Sequence, residues 1–184
     1  MLYLDAAWMQ ALRQESALGP VAPDEPVRII TEPALYDSFC RLNALLFSDA
    51  AAADKEAAVI EFIGDFDATQ AHGIEVPGPD AAQAGLLQAA FDRLQLSPAV
   101  DVSLHELAQL SEMSRYQLIR TFRVVTGMTP HAWQLNLCIN LAKEQMLNGA
   151  NLADVAYGLG FADQAHFQRV FKAYTGITPG RFRA

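Results

Sequence analysis

The residues best suited to chemistry fall on two stripes of helical spacing. The first holds Arg115, Tyr116, Ile119, Arg120 and Arg123; the second holds Gln164, Ala165, Gln168, Arg169 and Lys172. Together they carry five cations and no carboxylate, in a chain whose formal net charge is −8. A face that is merely solvated normally mixes signs, so the pattern predicts surfaces that meet phosphates and base edges. An arginine fork fits guanine, glutamine can pair adenine, and Tyr116, Ile119 or Ala165 supplies apolar contact for a thymine methyl. Arg123 and Lys172, at the stripe ends, suit phosphate. Gln117 and His166 lie on the same two helices and complete the candidate set, a polar surface role for His166 weighing as much as a base contact.

Other reactive side chains do not assemble into a site by spacing. His72, His105, His131 and His166 lack the i, i+4 pairing or cysteine neighbours of a metal centre. Cys40 and Cys138 are far apart and are read as small core residues rather than as a disulfide or zinc module. Asp65 and Asp67 are two apart on a helix and so do not face one another; they are read as solvated. Gly158-Leu159-Gly160-Phe161 is too short for a dinucleotide loop and follows a helix. No nucleophile, base and orienting group form a set, so neither an enzyme nor a cofactor is expected.

The elements that must position these residues divide at a composition break. In Ile74-Glu75-Val76-Pro77-Gly78-Pro79-Asp80, two prolines and a glycine cannot continue a helix, which puts a linker at 77–79. Residues 1–79 hold 4 basic and 13 acidic side chains, whereas residues 80–184 hold 9 and 8. The acidity that would argue against a nucleic-acid partner therefore belongs to the first segment. Periodic apolar residues predict helices over Glu32–Phe47 (Leu35, Phe39, Leu42, Leu45, Leu46) and Asp54–His72 (Ala58, Phe62, Ile63, Phe66), after a short amphipathic opening and a proline-rich loop at 19–26. Only Val27–Thr31 looks strand-like.

Beyond the linker, Ser103, Ser114, Pro130, Asn151 and Asp163 mark helix starts, and Ser103 with Glu106 fits a capping box. Gly127, Gly149 and Gly176 mark stops. About seven short helices and no strand are expected. They contain a repeat: Leu118 to Pro130 (LIRTFRVVTGMTP) returns 49 residues later as Phe167 to Pro179 (FQRVFKAYTGITP), while Leu107-Ala108 returns as Val155-Ala156 with an offset of 48. The second copy thus has one more residue in its turn. Each copy reads as a short helix, a tight turn and a longer helix, with Leu118, Phe122 and Val125 and then Phe167, Phe171 and Tyr174 pointing inward.

Residues 80–184 resemble the two-unit DNA-binding domain of the AraC/XylS family of bacterial transcription regulators. The resemblance rests on Val155-Ala156, Gly160-Phe161-Ala162-Asp163, Phe167 to Lys172, Gly176-Ile177-Thr178-Pro179 and Arg181-Phe182-Arg183. It implies an all-α tandem helix-turn-helix fold in which a long helix, about Pro130 to Asn148, joins the units. It also implies that both recognition helices enter successive major grooves of double-stranded DNA, with Tyr116, Ile119, Arg120, Ala165, His166 and Arg169 facing bases. This chain departs from the family at Cys138 and near Leu141, where basic residues are frequent, and at Ile119, where a small polar residue is common.

Residues 1–76 resemble, less specifically, the helical tail of that family's sensor and dimerisation domain, the barrel itself being absent. A domain piece, a late start and a naturally short regulator all remain open. The apolar stripe of 32–47 needs a partner. It either folds onto Asp54–His72 or pairs with its own copy, and the resemblance favours a homodimer through residues 32–72. The expectation is a cytoplasmic DNA-binding regulator with no membrane span, RNA polymerase being a further candidate partner. The alternative is a protein-binding antagonist of transcription with weak or no specific DNA binding.

Overall fold

Short polar side chains and glycines set the helix boundaries. The computed structural model describes residues 5–15, 33–72, 85–99 and 102–183, without the side chains of 68–72. The strand-like Val27–Thr31, the loop at 19–26 and the linker at 77–79 lie outside the described residues. Every regular element within them is helical: α1 (Ala6–Glu15), α2 (Pro33–Leu46), α3 (Ala52–His72), α4 (Gln88–Leu96), α5 (Leu104–Leu110), α6 (Arg115–Thr126), α7 (Pro130–Leu147), α8 (Leu152–Gly158), α9 (Gln164–Thr175) and α10 (Pro179–Arg183).

The caps are local and explain why the ends were legible. Ser103, Ser114, Thr129, Asn151 and Asp163 each accept a backbone N–H of the first turn of the helix that follows. The reciprocal capping box forms at Ser114 and Gln117, not at Ser103. Glu106 instead accepts from Arg93 Nε of α4 at 2.7 Å, a charged partner that outcompetes a backbone amide.

The repeated Thr-Gly-x-Thr-Pro is a stop-and-start device. Thr126 Oγ1 donates to Phe122 O at 2.7 Å, and Thr175 Oγ1 donates to Phe171 O at 2.7 Å. Gly127 and Gly176 then take left-handed φ of 74° and 77°, and Pro130 and Pro179 open the next helices. The turns differ by one residue as expected, four between α5 and α6 and five between α8 and α9. Their left-handed positions correspond, Glu112 at φ 53° and Gly160 at φ 78°. Gly160 has a second constraint, since a Cβ there would lie 2.3 Å from Ala99 O.

Two cores result, and they do not divide at the linker. One joins Leu12, Leu42, Ala57, Val59, Ile60 and Ile63 of α1–α3 to Leu87, Leu94, Leu107, Leu118, Ile119 and Phe122 of the first helix-turn-helix unit. Phe91, Phe122 and Trp133 stack at its base, with centroids 4.9 to 6.1 Å apart. The other holds Ile139, Ala142 and Met146 of α7 with Val155, Ala156, Phe161, Phe167 and Phe171 of the second unit. Helix α7 serves both, through Trp133 and Leu137 at one end and through Cys138 onward at the other.

Four packing expectations change. Val125 and Tyr174, read as inward, are 48% and 38% exposed, although the Tyr174 hydroxyl still donates to Ala132 O of α7 at 3.1 Å. Cys40 is exposed and only Cys138 is buried, the apolar surroundings pushing its thiol up to about 11. The α2 stripe folds back within the chain: Leu42 is buried, and Phe39 meets Phe62 of α3 at 6.1 Å. The stripe thus has a partner within the chain, with Leu35, Phe39, Leu45 and Leu46 half-buried.

Candidate nucleic-acid interface

The interface begins with two capped helices presented by one pattern. On α9, Asp163 accepts from His166 N at 2.6 Å and fixes the first turn, while Phe167 and Phe171, fully buried, fix the rotation. Ala165, Gln168, Arg169 and Lys172 are then exposed and Gln164 is half-buried. Among the described residues neither Arg169 nor Lys172 has an ion-pair partner. His166 is turned away from this stripe, its ring edge-on to Phe161 at 5.5 Å.

On α6 the same rotation, set by buried Leu118 and Phe122, turns Arg115, Tyr116, Ile119, Arg120 and Arg123 toward helices α1 and α3, with Arg115 and Ile119 buried, Tyr116 and Arg120 half-buried and Arg123 paired but exposed. Ala57, Ile60 and Gly64 lie at steps of three and four on one face of α3. Ile119 is 0% exposed and belongs to the same core as Ala57 and Ile60. At Gly64 the Tyr116 ring lies against the α3 backbone, since a Cβ there would fall 2.3 Å from that ring. Gln117 is committed to the cap, its Oε1 accepting from Ser114 N at 3.0 Å.

Carboxylates flank that apolar seam. Asp65 Oδ1 accepts from Tyr116 Oη at 2.6 Å and from Arg120 Nη1 at 3.2 Å, and Arg120 also donates to Tyr116 Oη at 2.9 Å. Glu61 Oε2 meets Arg123 at 2.7 Å. Arg115 donates to Glu15 of α1 at 2.7 Å and to Glu56 at 3.3 Å, with its guanidinium 5.9 Å from the Trp8 ring centroid. Beyond the end of α6, Asp54 takes the hydroxyl of Thr129 at 2.7 Å and lies 3.1 Å from His131 Nδ1.

The acids respond differently to this placement. Burial raises Glu61 above the ordinary carboxylate value, and the attraction of Arg123 does not cancel it. Burial also acts to raise Asp54, but the hydrogen bonds from His131 and Thr129 outweigh it and the net shift is downward. Burial, reinforced by Asp65, pushes the Tyr116 hydroxyl up to about 12.

Sequence reasoning missed this cover. Asp65 is exposed as expected, yet it also holds Tyr116 and Arg120, whereas Asp67, expected in water, is 11% exposed and accepts from Arg13 Nη2 of α1 at 2.6 Å. The signal was present as an apolar residue, Ile119, inside a cationic stripe, and as acids recurring at 54, 61 and 65 on the acidic half of the chain.

Comparison with known proteins agrees with the repeat. Residues 107–184 match the family described as helix-turn-helix domain. The chain is 32% identical over 107 residues to the HTH-type transcriptional regulator RipA of Corynebacterium diphtheriae, covering 58% of this chain and 30% of that protein. It is 37% identical over 68 residues to the uncharacterized HTH-type transcriptional regulator YbfI of Bacillus subtilis, covering 37% and 25%. A solved transcriptional regulator of Chromobacterium violaceum, with an AraC-type DNA-binding domain in its title, superposes with a TM-score of 0.52 at 24% identity, over 56% of this chain and 94% of that one. The C-terminal segment carries the AraC-type helix-turn-helix fold.

These similarities are to proteins named as regulators of transcription. The matches span about a quarter to a third of the length of these two curated relatives. One further relative, 32% identical over 88 residues, is the Escherichia coli bifunctional transcriptional activator/DNA repair enzyme Ada, of which 25% is covered. Among the described residues no three His, Cys, Asp or Glu side chains gather to hold a metal, and no helix is long and apolar enough to cross a membrane.

Proposed function

We propose that this protein is a sequence-specific, double-stranded-DNA-binding regulator of transcription, working in the cytoplasm without catalysis of its own. The observation that carries the reading is the duplicated helix pair whose stripes opposite the buried pairs hold Arg115, Arg120, Arg123, Arg169 and Lys172 and no carboxylate. Arg169, exposed with Gln168 and Ala165 beside it, is the base-reading side chain of the second unit, and Lys172 its phosphate contact. Tyr116, Ile119, Arg120 and Arg123 hold the corresponding positions in the first. The regulators among the relatives favour this over a purely protein-binding antagonist.

The test is selection of sites from a randomised duplex pool with the full chain, followed by a salt titration on the selected site. A single enriched motif and a steep linear loss of affinity with log salt are expected. Recovery of no motif, with affinity indifferent to salt, would overturn the reading. A homodimer through residues 32–72 and a contact with RNA polymerase are finer assignments. Sedimentation at micromolar concentration checks the first, without Leu42→Glu as the probe, because Leu42 is buried under α3 and its loss would unfold that packing. Co-sedimentation with the polymerase on promoter DNA checks the second.

A further inference from the structure

We infer that α3 and DNA are mutually exclusive occupants of the same face of α6, so that the structure is an autoinhibited form in which only the second unit is ready to read DNA. The inference rests on the DNA-binding reading above and deepens it. The stripe of α6 that matches the exposed stripe of α9 is engaged along its length by this chain's own residues, with Arg123 at its end still 47% exposed. Ile119 is sealed at 0% exposure, Tyr116 and Arg120 share Asp65, Arg123 holds Glu61, and Arg115 holds Glu15 and Glu56. Carboxylates take the places that phosphate oxygens would take.

Steric argument leads to the same result as charge. A major groove about 12 Å wide admits one α-helix. Two packed helices, each about 10 Å across with side chains, do not fit. For α6 to enter a groove, α3 must leave, and Ile119 must exchange its apolar seam for a base-pair edge. That exchange explains an isoleucine in an otherwise cationic stripe: it is a docking residue for α3 in the closed form.

Gly64 supplies a way to open the cover without touching α6. A Cβ at this position would lie 2.3 to 2.7 Å from Tyr116 ring atoms, including Cγ near the root of the side chain, so Gly64→Ala drives a wedge into the seam. Alanine also favours the helix itself, so α3 stays helical while its docking weakens. The charge-removing double variant Glu61→Gln/Asp65→Asn opens the same contact by another route and covers the case in which the wedge is absorbed by a swing of Tyr116.

The experiment measures binding of the full chain to a mixed-sequence duplex of about 30 base pairs as a function of salt, with amide hydrogen exchange of α3 in parallel. Opening adds Arg115, Arg120 and Arg123 to the cations that meet phosphate. Both variants should therefore steepen the log–log salt slope by about two to three and raise affinity at about 50 mM salt by at least tenfold. In the unaltered chain, saturating duplex should speed exchange in α3. Unchanged slopes in both variants, with α3 equally protected with and without duplex, would overturn the inference. If that occurs while Lys172→Ala still lowers the slope, DNA binding by α9 stands and only the autoinhibition fails. If no form of the chain binds the duplex, both fail.

Discussion

Helices α6 and α9 are two copies of one pattern set in opposite surroundings. Both are twelve residues long, both end on a left-handed glycine, and both are oriented by a buried pair, Leu118 with Phe122 and Phe167 with Phe171. At the position where α9 has exposed Gln168, α6 has Ile119. That single apolar side chain, with acids supplied by α1 and α3, lets a third helix dock on one copy, while water covers the other. The comparison teaches that a recognition helix is defined twice: by the face it presents, and by whether anything else in the chain is complementary to that face.

Exchanging the two residues breaks the comparison most sharply. Ile119→Gln buries an amide without partners in the shared core and should destabilise the protein by about 2 to 4 kcal/mol. Gln168→Ile alters an exposed site and should stay within about 0.5 kcal/mol. Urea unfolding of both variants measures the difference, and equal costs would mean that α3 does not seal α6 in solution.

Next in size is the separation of two arginines that the repeat makes equivalent. Arg169→Ala should weaken binding to a selected site by about 1 to 3 kcal/mol. Arg120→Ala should cost less, because Arg120 is already engaged by Asp65 and Tyr116. Lys172→Ala should lower the salt slope by about one without changing base preference. Equal losses from Arg120 and Arg169 would show that both helices read DNA in the ground state.

Arg115→Ala should destabilise by about 1 to 2 kcal/mol, the charge being buried enough to matter and its partners wet enough to recover part of the loss. Its side chain is 9% exposed, against 28% and 41% for Glu15 and Glu56. Gln164→Ala at the matching position of α9 should be near neutral, and thermal melts separate the two.

The smallest expected effect is the most diagnostic of the seam. Because Glu61 is raised, the folded protein holds that proton more tightly than the unfolded chain. Its contribution is present below the ordinary value of 4.5 and is lost as pH rises through the raised value. Asp54 is lowered, so its contribution is present above 3.8 and is lost as pH falls through the lowered value. Stability measured against pH should therefore lose a decline on the rising side in Glu61→Gln and lose an acid-side fall in Asp54→Asn. The same slope in both variants would mean that neither acid is held as the geometry places it.

Much of the fold was legible because its determinants are local. Ser114, Thr129, Asn151 and Asp163 cap the helices they precede, and the repeat predicts the extra turn residue from a one-residue change of offset. The buried pairs and the exposed α9 stripe follow from helical period alone. The partners of Asp65 and Asp67 were missed because spacing within a helix says which side chains do not meet each other, and nothing about which distant residue each will meet. Tyr116 and Arg13 lie 51 and 54 residues away from them.

By itself the sequence determined the helices, their caps, the duplication and the two cationic stripes, since each depends on residues within a turn or two of one another. Only the tertiary structure decided that α2 would pack on α3, that one core would join α1–α3 to α6, and that the first cationic stripe would be covered while the second stayed exposed. Those outcomes depend on complementarity between faces distant in sequence, where an apolar seam and its flanking charges must be satisfied together.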